Sequence, residues 1–211
     1  MIYIKKIITG KWKENCYIVS DLNKNALIID PGSDEERIVS FIEGSKLNIL
    51  AILNTHAHYD HIGAVKKLKD RFSVPFFLHS KDRKLLKSAN LYIKIFDGDD
   101  PISISKVDYY FDQREMIIQL GDFSIQVLFT PGHTKGSVCF QIEDCLFTGD
   151  TLLNGKIGRV DLPGGDEHTL KKSLKAISKI TENIIVYPGH GESTILSSEL
   201  KYNKSFIHAI Q

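Results

Sequence analysis

The segment that most constrains this chain is residues 55–61, which read THAHYDH. Three histidines and one aspartate fall within six residues, directly after the apolar run 49–53. Residues two apart in an extended segment point to the same side, so the sequence predicts that His56 and His58 converge on one metal ion. Packing alone explains the motif poorly, because burying four such side chains without a metal would leave several polar groups unpaired.

The backbone geometry is expected to change within the same motif. Residues 61–70 have apolar side chains at helical spacing between lysines, which predicts a helix. The chain therefore turns at Tyr59 or Asp60. This turn directs Asp60 and His61 toward a different point from the first two histidines, so two adjacent metal positions are expected.

Three later segments carry further candidate ligands. They read FTPGHTKGS, LFTGDT and VYPGHGES, and each ligand follows an apolar, β-rich run. Loops held by a rigid sheet commonly carry functional residues. In each segment a glycine precedes the ligand, where it permits backbone conformations closed to other residues and leaves room for close approach. These ligands are His133, Asp150 and His190. Two hydrolytic metal ions usually need about six or seven protein groups, which the combined set supplies.

These motifs resemble those of the metallo-β-lactamase-fold hydrolases, and within that family the single-domain members of the glyoxalase II (hydroxyacylglutathione hydrolase) group. The resemblance covers nearly the whole chain and includes IIDPG at 28–32 and GRVDLPGGD at 158–166. It implies an α+β fold, an αββα sandwich of two mixed β-sheets flanked by helices. It also implies a first metal held by His56, His58 and His133, a second held by Asp60, His61 and His190, and Asp150 bridging both.

The resemblance also implies roles for residues around the ligands. Asp30 would orient a ligand from behind, although a plain turn residue before a Pro-Gly pair is an equally good interpretation. From its place between the ligand Asp150 and a helix, Arg159 is expected to pair with Asp161 or another carboxylate and to brace the loop that holds Asp150, a role favoured over contact with the substrate.

The expected reaction is hydrolysis of a thioester such as S-D-lactoylglutathione. Two divalent ions, zinc in the first place and iron or manganese otherwise, would share a water and lower its pKa toward roughly 7. The resulting metal-bridging hydroxide is the expected nucleophile, and Asp60 would orient it while ligating the second ion. Because a thiol has a pKa of about 8.5, its thiolate leaves without a strong general acid. Lactones and other activated esters meet the same requirement.

Two functions from other classes are weighed against this one. Persulfide dioxygenases share the fold and the motif but use one Fe(II), held by residues that correspond to His56, His133 and Asp150. A site of two histidines and one carboxylate favours iron and O₂ chemistry. A metal-free binding module is disfavoured because no ligand is lost. β-Lactamases of the best-known class carry Arg and Cys where this chain has His61 and Asp150.

Length and composition limit the domains and partners. A chain of 211 residues with 42% hydrophobic content fits a single domain, 1–211. The stretch after His190 is too short for the helical domain that grips glutathione in two-domain glyoxalase II enzymes. A formal net charge of +1 gives no electrostatic reason to expect nucleic acid or membrane as a partner. Without an apolar run of signal-peptide or membrane-span type, we expect a cytoplasmic monomer or homodimer acting on a small thioester or ester.

The remaining pattern divides into two β-rich halves with helices between the strands. Cys16, Cys139 and Cys145 lie in apolar, strand-like surroundings, which predicts reduced and buried thiols. Residues 120–123, LGDF, predict a hairpin turn. Residues 88–112 are loosely patterned, and they are expected to form either a wall beside the metals or a surface excursion.

Overall fold

Strands form at the apolar, β-branched runs of the sequence. The computed structural model describes residues 1–112, 115–180 and 184–211. Its strands are β1 (Tyr3–Thr9), β2 (Glu14–Ser20), β3 (Asn25–Ile29), β4 (Asn48–Leu53), β5 (Phe76–His79), β6 (Tyr109–Phe111), β7 (Glu115–Leu120), β8 (Phe123–Phe129), β9 (Val138–Ile142), β10 (Cys145–Gly149), β11 (Leu152–Leu153), β12 (Lys156–Ile157), β13 (Ile185–Pro188) and β14 (Thr194–Ile195). The β7–β8 connection confirms the predicted hairpin.

Helices occupy most of the stretches with helical periodicity. They are α1 (Glu35–Gly44), α2 (Tyr59–Ile62), α3 (Val65–Phe72), α4 (Arg83–Lys87), α5 (Ala89–Phe96), α6 (Glu167–Ile177), α7 (Leu196–Tyr202) and α8 (Lys204–Ile210). Among the helices of the described residues, none combines the length and the apolar character needed to cross a bilayer.

The strands form two mixed six-stranded sheets and one two-stranded ribbon. The first sheet has the order β1-β2-β3-β4-β5-β6, with antiparallel pairing from β1 to β3 and parallel pairing from β3 to β6. The second has the order β14-β13-β10-β9-β8-β7. Its pairs are antiparallel except for the parallel pair β10–β13. Both sheets are mixed, as the sequence predicts.

Side-chain alternation divides the core into layers. In β2, Cys16 and Ile18 face a cluster beneath the helices, whereas Tyr17 and Val19 face a cluster shared by the two sheets, because successive strand residues point to opposite faces. Helices α1 to α5 cover the first sheet, and α6 to α8 cover the second. This arrangement confirms the αββα sandwich. The three cysteines are free and buried, also as predicted.

The predicted helix that follows the THAHYDH motif is wrong in one respect. Two helices, α2 and α3, replace the single one, and the break lies at Gly63. A Cβ on Gly63 would come within 2.3 Å of the Gly32 carbonyl oxygen, and the Ala64 amide donates to the Pro31 carbonyl. The turn that follows β3 therefore packs directly against the break between the helices.

The segment 88–112 contains a helix that the sequence pattern does not reveal. Helix α5 buries Ala89 and Ile93, while Leu91, Ile95 and Phe96 are exposed. Apolar residues therefore lie around most of the helix, and without one polar face there is no clear period to detect.

Candidate metal centre

Four connections that leave strand ends carry the predicted ligands. Strands β8, β10 and β13 run in the same direction, as their pairings require, so their carboxyl ends lie at one edge of the second sheet. The loops that leave this edge bear His133, Asp150 and His190. The connection that leaves the carboxyl end of β4 faces them from the first sheet. All seven predicted ligands meet between the two sheets at this edge.

The first group of ligands comprises His56, His58 and His133, and we call it the first trio. One ligand atom from each residue lies within 4.8 Å of the others. The Nε2 atom of His133 is 2.9 Å from Nδ1 of His58. All three residues are buried. Residues two apart in an extended segment, facing a histidine from the opposite sheet, assemble as the sequence predicts.

The second group comprises Asp60, His61 and His190, and we call it the second trio. Its ligand atoms also lie within 4.8 Å of one another. Asp60 Oδ2 is 3.3 Å from His190 Nε2 and 3.8 Å from His61 Nε2. Asp60 and His61 lie on α2, whose start at Tyr59 is the predicted turn. This turn separates the second trio from the first.

Asp150 lies between the two trios. Its Oδ2 is 3.6 Å from His133 Nε2 of the first trio and 3.6 Å from His190 Nε2 of the second. Its Oδ1 is 3.6 Å from His61 Nε2. The carboxylate of Asp150 is thus near ligand atoms of both trios, as a bridging ligand requires.

Glycines let the ligand loops come this close together. Gly149 has φ of +48°, a conformation that disfavours any residue with a Cβ. A Cβ on Gly189 would meet Asp150 Oδ1 at 2.2 Å and a carbon of the His61 ring at 2.7 Å. The prediction that these glycines permit unusual backbone conformations or close approach is confirmed at both positions.

Four of the five ligand histidines have an Nδ1 partner outside the ligand set, which leaves Nε2 directed into the site; in His58, Nδ1 instead faces His133. The Nδ1 atom of His56 is 3.0 Å from Thr55 Oγ1, and that of His61 is 3.2 Å from Asp30 Oδ2. The other two donate to backbone carbonyls, His133 to Arg159 at 2.8 Å and His190 to Trp12 at 3.1 Å. A partner of this kind fixes the tautomer and the ring orientation of metal-binding histidines.

The electrostatics of the two trios differ. Burial lowers the pKa of His58 to about 3, and it lowers that of His56 well below the ordinary value, with neighbouring histidines acting in the same direction. For His61 and His190 burial also acts downward, but the carboxylates of Asp60 and Asp150 outweigh it and raise both pKa values. His56 and His58 of the first trio are therefore neutral, the form that binds metal, while His61 and His190 of the second attract positive charge.

Unpaired buried atoms test whether the residues fit a metal. Ring nitrogens of His56, His58 and His61 and Oδ1 of Asp150 have no hydrogen-bond partner among the described residues. An unpaired buried polar group costs about 1–3 kcal/mol, and four of the seven such side-chain atoms among the described residues belong to predicted ligands. Histidine nitrogens and carboxylate oxygens suit zinc and other divalent transition metals. The site therefore fits divalent metal binding.

Asp30 lies behind the ligands. Its carboxylate accepts from the Thr55 amide at 2.7 Å and from the Thr55 hydroxyl at 2.5 Å, and its Oδ2 also faces His61 Nδ1. The same residue has φ of +49° at the turn after β3. The two interpretations of Asp30 are thus compatible: it is a turn residue whose side chain orients a predicted ligand.

Arg159 and Asp161 form the expected pair at the surface. The guanidinium donates from Nε to Asp161 Oδ1 at 2.7 Å and from a terminal nitrogen to Oδ2 at 2.6 Å. The hydrogen bonds from Arg159 are the main reason that the pKa of Asp161 falls to about 2. Both side chains are well exposed. Arg159 contacts the site through its backbone carbonyl, which holds the His133 ring.

Asp82 is a supporting residue that the sequence analysis missed. Its buried carboxylate accepts from the Ala57 amide at 3.0 Å, the Gly136 amide at 2.7 Å and the Thr134 hydroxyl at 2.8 Å. Burial raises the pKa of Asp82, and these hydrogen bonds oppose that rise. Ala57 lies between two ligands of the first trio, and Thr134 follows the third, so Asp82 ties both segments together. It sits in a run of basic residues, which gives no signal of such a role.

Glu14 is a second missed residue. Its side chain is 1% exposed, and Oε2 accepts from the Thr9 hydroxyl at 2.5 Å. Oε1 lies 3.9 Å from His61 Nδ1 and has no hydrogen-bond partner among the described residues. Burial raises the pKa of Glu14 well above its ordinary value. Glu14 is the first residue of β2 and follows a polar stretch, and nothing in that sequence distinguishes it from a surface residue.

A known protein family has a model that matches most of this chain. The model of the metallo-beta-lactamase superfamily matches residues 9–190. The chain belongs to this superfamily, whose members include metal-dependent hydrolases.

Particular relatives lie within the same superfamily. The chain is 37% identical over 204 residues to hydroxyacylglutathione hydrolase GloC of Haemophilus influenzae, covering 95% of this chain and 96% of that protein. Among solved structures it is similar to the BLEG-1 B3 metallo-beta-lactamase, with 39% identity, a TM-score of 0.91 and coverage of 96% and 98%. It is also similar to TTHA1623 in a di-iron-bound form, with 34% identity, a TM-score of 0.86 and coverage of 95% and 98%.

Proposed function

We propose that this protein is a metal-dependent hydrolase that cleaves a thioester of the S-D-lactoylglutathione type. The observation that carries the proposal is the pair of trios with Asp150 between them, in which four buried ligand-type atoms have no hydrogen-bond partner within the described part of the chain. The similarity to a hydroxyacylglutathione hydrolase supports the substrate class.

The seven residues would hold two divalent ions. His56, His58 and His133 would bind the first ion, Asp60, His61 and His190 the second, and Asp150 both. Such a pair lowers the pKa of a shared water and polarises a substrate carbonyl. We propose zinc as the metal, with iron or manganese as alternatives. The di-iron form of a similar protein supports iron as one of them.

Asp60 would orient the attacking water. Burial opposes its ionisation, but the charge on His61 and the hydrogen bond with His190 outweigh burial and lower the pKa of Asp60. The side chain is therefore a carboxylate near neutral pH, able to accept a hydrogen bond from water. A thiolate leaves readily because the pKa of a thiol is about 8.5. The proposed reaction therefore needs no separate general acid.

Hydrolysis of β-lactams is a second candidate, and the similarity to the BLEG-1 B3 metallo-beta-lactamase favours it. The sequence argument from His61 and Asp150 applies to one other class of β-lactamase and does not address B3 enzymes. An amine is a poorer leaving group than a thiolate, so cleavage of a β-lactam amide depends on ring strain or on protonation of the nitrogen. The structure offers no feature that favours this over a thioester.

A set of parallel assays tests the proposal. Metal content is measured by elemental analysis, and rates are compared for thiol release from S-D-lactoylglutathione, cleavage of a chromogenic β-lactam and O₂ uptake with glutathione persulfide. About two equivalents of metal with the thioester as the best substrate would support the proposal. A single iron with O₂ uptake would overturn it in favour of a dioxygenase, and a higher kcat/KM for the β-lactam would support the second candidate.

A further inference from the structure

The tip of the β1–β2 hairpin, residues 10–13, reaches one ligand of the second trio. The backbone carbonyl of Trp12 accepts a hydrogen bond from His190 Nδ1 at 3.1 Å. The side chain of His190 is 27% exposed, against 1% or less for His61 and His133. Among these three histidines, His190 therefore depends least on the core for its orientation.

The loop around His190 is held to the same hairpin through its backbone. Asn15 donates from its amide to the Gly189 carbonyl at 2.7 Å, and from its side chain to the carbonyls of Pro188 and Gly191 at 2.9 and 2.8 Å. These bonds fix the loop but do not contact the ring. Of the two ring nitrogens, Nε2 faces Asp60 in the site and Nδ1 is held by the Trp12 carbonyl, so the position of this carbonyl helps to set the orientation of the ring.

The side chain of Asp97, which lies outside the hairpin, anchors the residue that bears this carbonyl. Trp12 Nε1 donates to Asp97 Oδ2 at 3.1 Å, and Lys11 Nζ lies 3.0 Å from the same oxygen. The side chain of Asp97 is 4% exposed, so it is a buried acceptor for two donors from the hairpin tip. We call Lys11, Trp12 and Asp97 the hairpin clasp. Asp99 also pairs with Lys11, at 2.5 Å, but its side chain is 56% exposed, and the indole N–H of Trp12 is directed to Asp97 instead.

The backbone of the tip does not fix Trp12 by itself. Gly10 and Lys13 on either side have φ of +60° and +55°, and one long hydrogen bond, 3.3 Å from the Lys13 amide to the Gly10 carbonyl, closes the turn.

Trp12 and Asp97 also line a cavity of about 130 Å³ together with Asp60 of the second trio. The clasp therefore lines a cavity that adjoins the candidate metal centre at Asp60.

We propose that Asp97, acting through Trp12, is a positioning residue for His190 and thereby sets the affinity of the second metal position. The inference rests on the proposed function, since it takes His190 to be a ligand. A carbonyl that accepts from Nδ1 keeps Nε2 unprotonated and aimed at the metal. Outer contacts of this kind typically change metal affinity about 10- to 100-fold.

Three variants of the full-length chain test the proposal. Asp97→Ala removes both contacts of the clasp, and Trp12→Phe removes the indole N–H while the backbone carbonyl stays. Asp99→Ala is the matched control, because it removes one nearby negative charge and one partner of Lys11 but leaves the Trp12 contact. Zn²⁺ binding to the metal-free proteins is measured by calorimetry in competition with a chelator, which resolves the two equivalents.

We expect the clasp variants to weaken binding of the second equivalent of zinc and to leave the first unchanged. Asp97→Ala should weaken binding of the second equivalent roughly 10-fold or more, and Trp12→Phe should weaken it in the same direction. The first equivalent should bind as in the wild type, and Asp99→Ala should stay within about threefold at both positions. If Asp97→Ala does not fold, Trp12→Phe alone carries the test. Equal second-equivalent affinities in Trp12→Phe, Asp99→Ala and the wild type would overturn the proposal.

The variant His190→Ala distinguishes this failure from failure of the proposed function. A wild-type protein that binds two equivalents, of which His190→Ala loses one, upholds the ligand assignment whatever the clasp variants show. A His190→Ala protein that keeps both equivalents would remove the assignment and the clasp proposal with it.

Discussion

The two trios sit a few ångströms apart, yet different parts of the fold hold them. The first trio is buried and tied together by Asp82, a carboxylate that accepts three hydrogen bonds from the segments around it. The second trio includes His190, which is partly exposed and donates a hydrogen bond to a backbone carbonyl at a hairpin tip. One half of the site is thus built into the core, whereas the other depends on a contact at the surface.

The same difference appears in the charges. Burial keeps the pKa values of His56 and His58 low, while carboxylates raise those of His61 and His190. Without metal, a proton competes for His61 and His190 more than for His56 and His58. From this difference and from the exposure of His190 we expect the two proposed metal positions to fill separately and the second to lose its metal more readily.

Asp150 belongs to both halves, so its loss should have the largest effect. Replacing it by Ala removes a predicted ligand of both ions and the one carboxylate between the trios. We expect metal affinity at both positions to fall by roughly 100-fold or more, with turnover falling at least as far. Metal content after gel filtration and the thioester assay measure the two effects. An undiminished rate in this variant would remove the metal model altogether.

A substitution that affects only the support of the first trio should lower metal affinity less than Asp150→Ala does. The loss should be confined to the first metal position. Asp82→Asn replaces a carboxylate that accepts three hydrogen bonds, which should destabilise the protein by about 1–3 kcal/mol and weaken the first metal position about 10-fold. Urea denaturation of the metal-free protein and the calorimetric titration measure these effects.

Arg159→Gln is the control for Asp82→Asn, because it removes an exposed ion pair near His133 and leaves the backbone carbonyl that holds the ring. Exposed ion pairs contribute little to stability, so this variant should bind both equivalents within about threefold of the wild type. If Asp82→Asn weakened metal binding at the second position as much as at the first, the conclusion that different parts of the fold hold the two trios would be contradicted.

The ligands were predictable because their residue types and spacing are unusual. His56 and His58 alternate on an extended segment, Asp60 and His61 follow a turn, and the structure assembles both groups as the sequence and the family resemblance predict. The layered fold also followed from strand-like runs separated by helical patterns. These are local signals, and each can be seen within about ten residues of chain.

The residues that hold the ligands in place could not be predicted in the same way, because their roles depend on tertiary contacts. Asp82 lies in a basic run typical of a solvated helix, and only the fold brings it beside Ala57 and Thr134. Trp12 acts through a backbone carbonyl, which has no residue signature. The break at Gly63 likewise depends on the close approach of the turn at Gly32, which is 31 positions away in the chain.

Anomalous diffraction from metal-loaded crystals of this protein would test the central claim most directly. The account predicts two peaks, one among His56, His58 and His133 and the other among Asp60, His61 and His190. After a short soak in limiting chelator, the second peak should fade while the first persists. Two peaks that fade together, or a first peak that fades before the second, would contradict the account.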